Sequence, residues 1–452
     1  MINTRQKNFR IIYIAAVISA LGGLLFGYDI GAISSSILFI SEQFALSPLW
    51  QGVLVSSVSL GAIVGAVAGG ILSDRLGRRY TLSLFSIIFS IGGICSAMAP
   101  MLFLLVVGRV LVGIGLGAIS FVTPLYISEI APVDKRGSLV FLNQLALSTG
   151  LVISYPISYA LSSTVEPWRW ILAFSVVPAS ILIVGILGMP ESPRWLINHN
   201  HMNRARKVLI QISGATNVDQ EISEIQTVLQ QRSGNWSELL QPSIRPALFI
   251  GVSLAMLQQF TGINTIVYFT PTILQLSGFK SSSIAILATI GIGMINFLST
   301  VLAIWLVDRV GRRPLLLCGI LGMVVSLSIL GLVFYFSQSP DVSMGWLTIA
   351  SLMIYVSSFV IGLASVFWLL IAEIYPSKLR AKAMSIATVA NWSASLITSI
   401  SFLTLIQWFG KAGTFWLYGL IGMSTWLLVF FLVPETKGLT LEEIEIRLGK
   451  DG

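Results

Sequence analysis

Charge is scarce in this chain. Asp, Glu, Lys and Arg make up 10% of its 452 residues, against about 25% in a soluble domain. So little charge cannot clothe a water-facing surface, which excludes an ordinary globular enzyme or binding module. Cysteine is nearly absent. Cys95 and Cys318 both lie in hydrophobic stretches, so a disulfide framework and a thiolate metal site are excluded. His199 and His201 are the two histidines. They share one polar stretch without further ligands, and we expect them to be solvated. The chain has no metal-ligand cluster, no Ser/His/Asp constellation and no Walker A motif, so we expect neither enzyme activity nor a bound cofactor or metal. A cleavable leader is not expected either. The first hydrophobic run follows a short basic tail (Arg5, Lys7, Arg10) and is too long for a signal core.

What is present is hydrophobic length. The composition is 55% apolar, and runs of 20 or more residues recur from end to end, the signature of an all-α membrane protein. Twelve spans are expected, beginning near residues 11, 49, 80, 101, 138, 168, 246, 281, 314, 345, 381 and 412. The net charge of +8 does not mark a nucleic-acid binder. With both termini placed in the cytoplasm, all Lys and Arg except Arg109, Arg169, Lys280 and Lys411 fall on the cytoplasmic side, so the basic excess records orientation. The longest polar interruption, 190–245, is expected to be a cytoplasmic linker with short surface helices near 204–209 and 218–231. It separates an N-terminal six-helix half, 1–189, from a C-terminal one, 246–433. A cytoplasmic tail covers 434–452.

The halves repeat. Asp74-Arg75-Leu-Gly77-Arg78-Arg79 returns as Asp308-Arg309-Val-Gly311-Arg312-Arg313. Glu129-Ile-Ala-Pro132 with Arg136 returns as Glu373-Ile-Tyr-Pro376 with Arg380, and Pro190-Glu191-Ser192 as Pro434-Glu435-Thr436. Three motifs in one order indicate an internal duplication. Parallel six-helix repeats of this kind hold a substrate near mid-membrane and rock against each other. The motif charges sit at helix ends on the cytoplasmic side. We expect a gate network of Asp74, Arg75, Arg79, Glu129, Arg136 and Glu191 in the first copy, and Asp308, Arg309, Arg313, Glu373, Arg380 and Glu435 in the second. Such a network, made in one conformation and broken in the other, biases a two-state equilibrium. The plainer alternative is that the arginines only fix topology.

One stretch is unusual for a span. Gln258-Gln259-Phe-Thr-Gly262-Ile-Asn264-Thr-Ile-Val-Tyr268 places uncharged donors and acceptors in an apolar segment. That set suits a neutral, hydroxyl-rich ligand, while helix–helix adhesion is the plainer alternative. On an ideal helix Gln258, Asn264 and Tyr268 share an arc of roughly 120°, with Gln259 roughly 100° away. A break at Gly262 would let all four converge. Elsewhere, Asp29 and Arg109 are the acid and the base placed deepest in the membrane. Counting from the outer helix ends puts them ~13 Å and ~12 Å in. Each would cost about 2.5–3.5 kcal/mol alone at a bilayer centre, so pairing is expected.

The chain resembles the sugar porter family of the major facilitator superfamily, nearest in motif to bacterial sugar–proton symporters. The likeness covers nearly the whole chain. It rests on Gly108-Arg109, on Pro124 through Gly137, on Pro190-Glu191-Ser192-Pro193-Arg194-Trp195-Leu196, on Gln258-Gln259 through Tyr268, and on Pro434-Glu435-Thr436-Lys437-Gly438. It implies the major facilitator fold and a monosaccharide site on the central axis. The implied contacts are Gln144, Gln258, Gln259, Asn264, Trp368 and Asn391, with Tyr268 occluding the site from outside. It further implies that Asp29 takes a proton in the outward-open state and releases Arg109, since facilitative animal carriers have asparagine there. Two departures stand out. Ala364-Ser365 replaces the usual Gly-Pro before the tenth-span tryptophan, which removes an expected kink and leaves Gly362 to supply bendability. Tyr268-Phe269 replaces a tyrosine pair. The expectation is a monomeric importer of a neutral hexose or pentose with protons, in lipid, in a bacterial inner membrane. A uniporter, a polyol or inositol symporter and a non-transporting sugar sensor are the alternatives; drug efflux fits the uncharged site less well.

Overall fold

The computed structural model describes residues 9–131, 136–213, 218–230, 236–242, 244–279, 281–336, 342–376 and 379–437. Among these the secondary structure is helix, with no strand. The first five spans are Phe9–Gln43, Pro48–Leu76, Arg78–Ala97, Leu102–Ile130 and Arg136–Leu161. The sixth is broken into Pro167–Ala173 and Val176–Leu187, and the seventh into Arg245–Phe260 and Ile263–Leu276. Ser282–Val310 and Arg312–Phe336 follow as the eighth and ninth. The tenth runs Val342–Phe359, a π turn Val360–Ala364, then Ser365–Ile374.

The last helical stretch, Arg380–Leu432, holds two spans rather than one. Gly410, at φ 71°, is its one non-helical residue. Phe402 lies 6.4 Å from Phe415 and 6.3 Å from Tyr418, whereas an unbroken helix would hold them ~20 Å and ~24 Å apart. The chain therefore reverses at Gly410, which gives the eleventh and twelfth spans.

Packing divides the chain into two compact units. The first comprises Met1–Asp29, Gly61–Gly150 and Ala173–Arg232. Its helices meet through glycine. A methyl on Gly108 would lie 2.5 Å from Ser96 Oγ, and one on Gly115 2.6 Å from Phe89 Cβ. Small residues bring helix backbones together where lipid supplies no hydrophobic drive. The linker helices Pro193–Asn198, Met202–Ser213 and Asp219–Gln230 close over a core of Leu196, Ile197, Ala205, Leu209 and Val218. Trp195 Nε1 donates to Asp74 O at 2.9 Å, tying this subdomain to the end of the second span. His199 is not free in solvent as expected. It is half-buried, stacks on Trp195 at 4.3 Å and sets Nδ1 3.1 Å from the Trp195 carbonyl. His201 is exposed.

The second unit comprises Ile30–Leu60, Leu151–Leu172 and Ser233–Gly452. It therefore contains parts of both sequence repeats, and the bonds joining them are small and uncharged. Ser34 Oγ donates to Val267 O at 2.9 Å, Ser283 Oγ to Ser162 Oγ at 3.0 Å, and Ser59 and Ser395 share a bond of 3.3 Å. Gly52 lies so close to the eleventh span that a methyl there would come 2.5 Å from Ile400 O.

Two glycines with positive φ predict different costs. Gly410 (φ 71°) has nothing within 4 Å of an added methyl, while at Gly262 (φ 90°) one would meet the Tyr418 ring at 2.6 Å. Gly410→Ala should cost only the backbone term, about 1–2 kcal/mol. Gly262→Ala should lower the melting temperature in detergent markedly further, and equal losses would refute the contact with Tyr418.

Candidate functional site

The seventh span breaks where the sequence places glycine. Gly262 adopts a left-handed conformation (φ 90°, ψ 14°) that residues with a Cβ rarely take. A break inside a span exposes carbonyls that lipid cannot satisfy. Here Tyr355 OH donates to Thr261 O at 2.9 Å. The side chains before the break gather on the eleventh span. Asn391 Nδ2 lies 2.8 Å from Gln258 Oε1 and 2.9 Å from Ala255 O, and Gln259 Nε2 donates to Asn391 Oδ1 at 3.2 Å. Gln258 Nε2 donates onward to Leu363 O at 3.2 Å, inside the π turn of the tenth span. All three amides are buried, and Gln259 Oε1 has no hydrogen-bond partner.

The remaining candidates sit differently. Asn264 bonds to none of these amides; its Nδ2 donates to Ser395 Oγ at 2.9 Å, which continues to Ser59. Tyr268 is 1% exposed and part of the core. Trp368 is 40% exposed. Gln144 lies half-buried on the fifth span, in the first unit. Where the sequence lacks the proline of an expected kink, the structure has a different irregularity. A π turn at Val360–Ala364 interrupts the helix without proline, packed where a methyl on Gly362 would lie 2.9 Å from Gly319 Cα.

The buried ion pair lies in the first unit. Arg109 Nη1 donates to Asp29 Oδ1 at 2.5 Å and Nη2 to Oδ2 at 2.9 Å. The side chains are 1% and 3% exposed. Two parallel charge-assisted bonds are the geometry that repays desolvation of both ions.

The repeated charged motifs build two similar caps, one per unit. In the first, Gly77 (φ 94°) turns the chain from the second span into the third, and Glu191 fills the space a side chain there would occupy. Glu191 accepts from the backbone N–H of Arg78 (2.9 Å), Arg79 (3.2 Å) and Ser192 (2.9 Å). In the second, Gly311 (φ 111°) is met by Glu435, which accepts from Arg312 N (3.0 Å), Arg313 N (3.1 Å), Thr436 N (2.9 Å) and Lys437 N (2.8 Å). Each glutamate satisfies the orphan donors at a helix N-terminus and its positive dipole end.

The arginines correct the expected network. Arg78 and Arg312, absent from the expected set, make the corresponding ion pair, each within its own copy. Arg78 Nε lies 2.9 Å from Glu129 Oε2, and Arg312 Nη2 3.0 Å from Glu373 Oε1. Arg79 and Arg313 instead donate to the carbonyls of Leu187 and Phe430. Arg75 is exposed; Arg309 is exposed and lies over the Trp305 ring at 4.1 Å. Arg380 does not reach Glu373, and its Nη2 has no hydrogen-bond partner. Glu373 takes Thr436 Oγ1 instead, at 2.6 Å. Asp74 is largely exposed and lies 3.3 Å from Arg78. The side chains of Arg136 and Asp308 fall outside the described residues. A sequence signal for Arg78 and Arg312 existed: both follow the repeated glycine directly, and Asp74 and Arg78 are four apart.

The two caps titrate in opposite senses. Burial raises the Glu191 carboxyl above the usual glutamate range, outweighing its backbone donors. At Glu435 burial also pushes upward, but the N–H groups of Lys437, Arg312, Arg313 and Thr436 outweigh it and the group is lowered. Glu435 therefore contributes stability that is present above its unfolded pKa and lost as pH falls through its lowered folded value. Glu191 contributes below its unfolded pKa, and that contribution is lost as pH rises through its raised folded value. Melting scans in detergent should show Glu435→Gln less stable than the parent at pH 8, with the gap closing toward pH 4. Glu191→Gln should gain on the parent as pH rises. Parallel pH profiles for the two variants would refute the asymmetry.

Known proteins resemble this arrangement over nearly its full length. Residues 15–448 match the family described as sugar (and other) transporter. The D-xylose transporter of Levilactobacillus brevis is 40% identical, covering 95% of this chain and 94% of its own. The galactose-proton symporter of Escherichia coli K12 is 37% identical, covering 98% and 96%. The partially occluded inward-open structure of the xylose transporter XylE from E. coli superposes with a TM-score of 0.84 at 33% identity, covering 95% of this chain and all of that one. Twelve spans in a duplicated order and a match from end to end lead to one conclusion: the chain belongs to the sugar (and other) transporter family and has the major facilitator fold.

Proposed function

We propose that this protein imports a neutral monosaccharide, a hexose or a pentose, together with protons by alternating access. The observation that carries the reading is the buried, bidentate Asp29–Arg109 pair. Symporters of galactose and of arabinose among its relatives support it. Protonation of Asp29 removes its charge and one acceptor, so Arg109 is left buried without a counter-ion. Such a state is costly by several kcal/mol, and a conformation that gives Arg109 other partners becomes favoured. Release of the proton on the cytoplasmic side restores the pair.

The sugar is bound by amides that already bond to one another. Gln258, Gln259 and Asn391 exchange those bonds for sugar hydroxyls, each of which donates and accepts. Gln259 Oε1, buried without a partner, accepts a hydroxyl proton at no loss of an existing bond. Gln144 and Asn264 complete the polar set, Trp368 stacks on the apolar face of the ring, and Tyr268 closes the outer side. The duplicated halves are the bodies that rock, and the paired Glu191 and Glu435 caps with Arg78–Glu129 and Arg312–Glu373 form the cytoplasmic gate. The protein functions as a monomer with both termini in the cytoplasm of a bacterial cell, in the inner membrane, driven by the proton gradient alone.

Proteoliposome uptake of labelled D-xylose and D-galactose tests this. The parent should accumulate one of them above equilibrium under an inward proton gradient, and a protonophore should abolish it. Asp29→Asn should lose accumulation by at least tenfold while retaining counterflow exchange. Intact accumulation by Asp29→Asn would refute the coupling role, and counterflow without accumulation by the parent would identify a uniporter.

A further inference from the structure

We infer that the hydroxyl of Ser365 holds the π turn of the tenth span and thereby positions the sugar site. This rests on the sugar-transport reading above. Ser365 Oγ donates to Val360 O at 2.7 Å, five residues back. Serine and threonine hydroxyls in an α-helix reach the carbonyl three or four residues back, as Ser86 does to Leu82, Ser154 to Leu151 and Thr398 to Ala394 in this protein. The five-residue reach exists only because the turn is widened, and the bond in turn favours the widened form. The backbone N–H of Ser365 is also engaged, with Gly362 O. Proline at this position could make neither bond.

Two features tie this turn to the ligand side chains. Leu363, within it, offers its carbonyl to Gln258 Nε2 at 3.2 Å. A π turn also contains one extra residue, so it sets the angular phase of everything after it. Loss of the extra residue would rotate the following segment by about 100°, and Trp368 lies three residues beyond Ser365. On the other side Gly362 lies against Gly319 so closely that neither position has room for a side chain, and the contact there is backbone on backbone. The hydroxyl of Ser365 adds a local hold across the turn. Ser365 is thus a positioning residue acting through Leu363 and Trp368, with no contact of its own to the sugar required.

The test compares the full-length parent with Ser365→Ala and Ser365→Thr, using two readouts. Amide hydrogen exchange across 358–368 in detergent reports the turn without any ligand. Ser365→Ala should exchange at least fivefold faster there, and Ser365→Thr, which keeps the hydroxyl, should match the parent. Counterflow with D-xylose and D-galactose reports the site. For the sugar that is carried, Ser365→Ala should raise the half-saturation concentration about tenfold at little change in maximal rate, and Ser365→Thr should restore it. In a Gln258→Ala background the Ser365→Ala change should add little further. Unchanged exchange in Ser365→Ala would overturn the inference whatever is transported. Faster exchange with unaltered half-saturation would overturn the positioning role. A parent that moves neither sugar but shows the exchange difference would uphold the turn and count against the transport reading.

Discussion

A polar group inside a bilayer must find its partner within the protein, because lipid offers none. Two departures from regular helix in the central spans of this protein answer to that constraint. Thr261 O, freed by the glycine break, receives Tyr355 OH, and Leu363 O, in the π turn, receives Gln258 Nε2. Asp29 and Arg109 receive each other. The helix ends beside Gly77 and Gly311 receive glutamates that arrive from more than 110 residues further along the chain. The same constraint draws the buried amides Gln258, Gln259 and Asn391 onto one another, with one acceptor, Gln259 Oε1, left over.

Charge and neutrality are distributed with a purpose. Charged contacts stay inside a sequence repeat: Asp29 with Arg109, Arg78 with Glu129, Arg312 with Glu373. Contacts that cross from one repeat to the other within the second unit are serine hydroxyls and glycine surfaces. A neutral hydrogen bond contributes about 0.5–1.5 kcal/mol net, so such a seam can be broken and remade by thermal energy together with a modest ligand contribution. Breaking a buried ion pair instead costs several kcal/mol. Among the described residues, strong bonds thus lie within a repeat, and the contacts between repeats inside the second unit are weak ones.

Much of the fold was legible in the sequence because the bilayer imposes one length on every span. The break at Gly262 and the depth match of Asp29 with Arg109 followed from helix arithmetic. The duplication pointed to the helix-end motifs. What escaped was angular. Asn264 faces Ser395 instead of the other amides, since Gly262 turns the helix after it through an angle that ideal geometry does not contain. Arg78 and Arg312 take the inward positions because they begin a helix, and their outer neighbours Arg75 and Arg309 end one. The tenth span was misjudged for a plainer reason. Absence of proline was read as loss of a kink with Gly362 left to supply bendability, whereas the place is taken by a π turn with a serine hydroxyl bonded across it.

The reversal at Gly410 bears on how the last two spans move. The eleventh and twelfth spans are joined with only one non-helical residue between them. Lys411 Nζ, just past the turn, already donates to Leu276 O at the end of the seventh span. A turn this tight makes the two spans one body, a helical hairpin that closes on the seventh and ninth spans, so a displacement of either span is carried to the other.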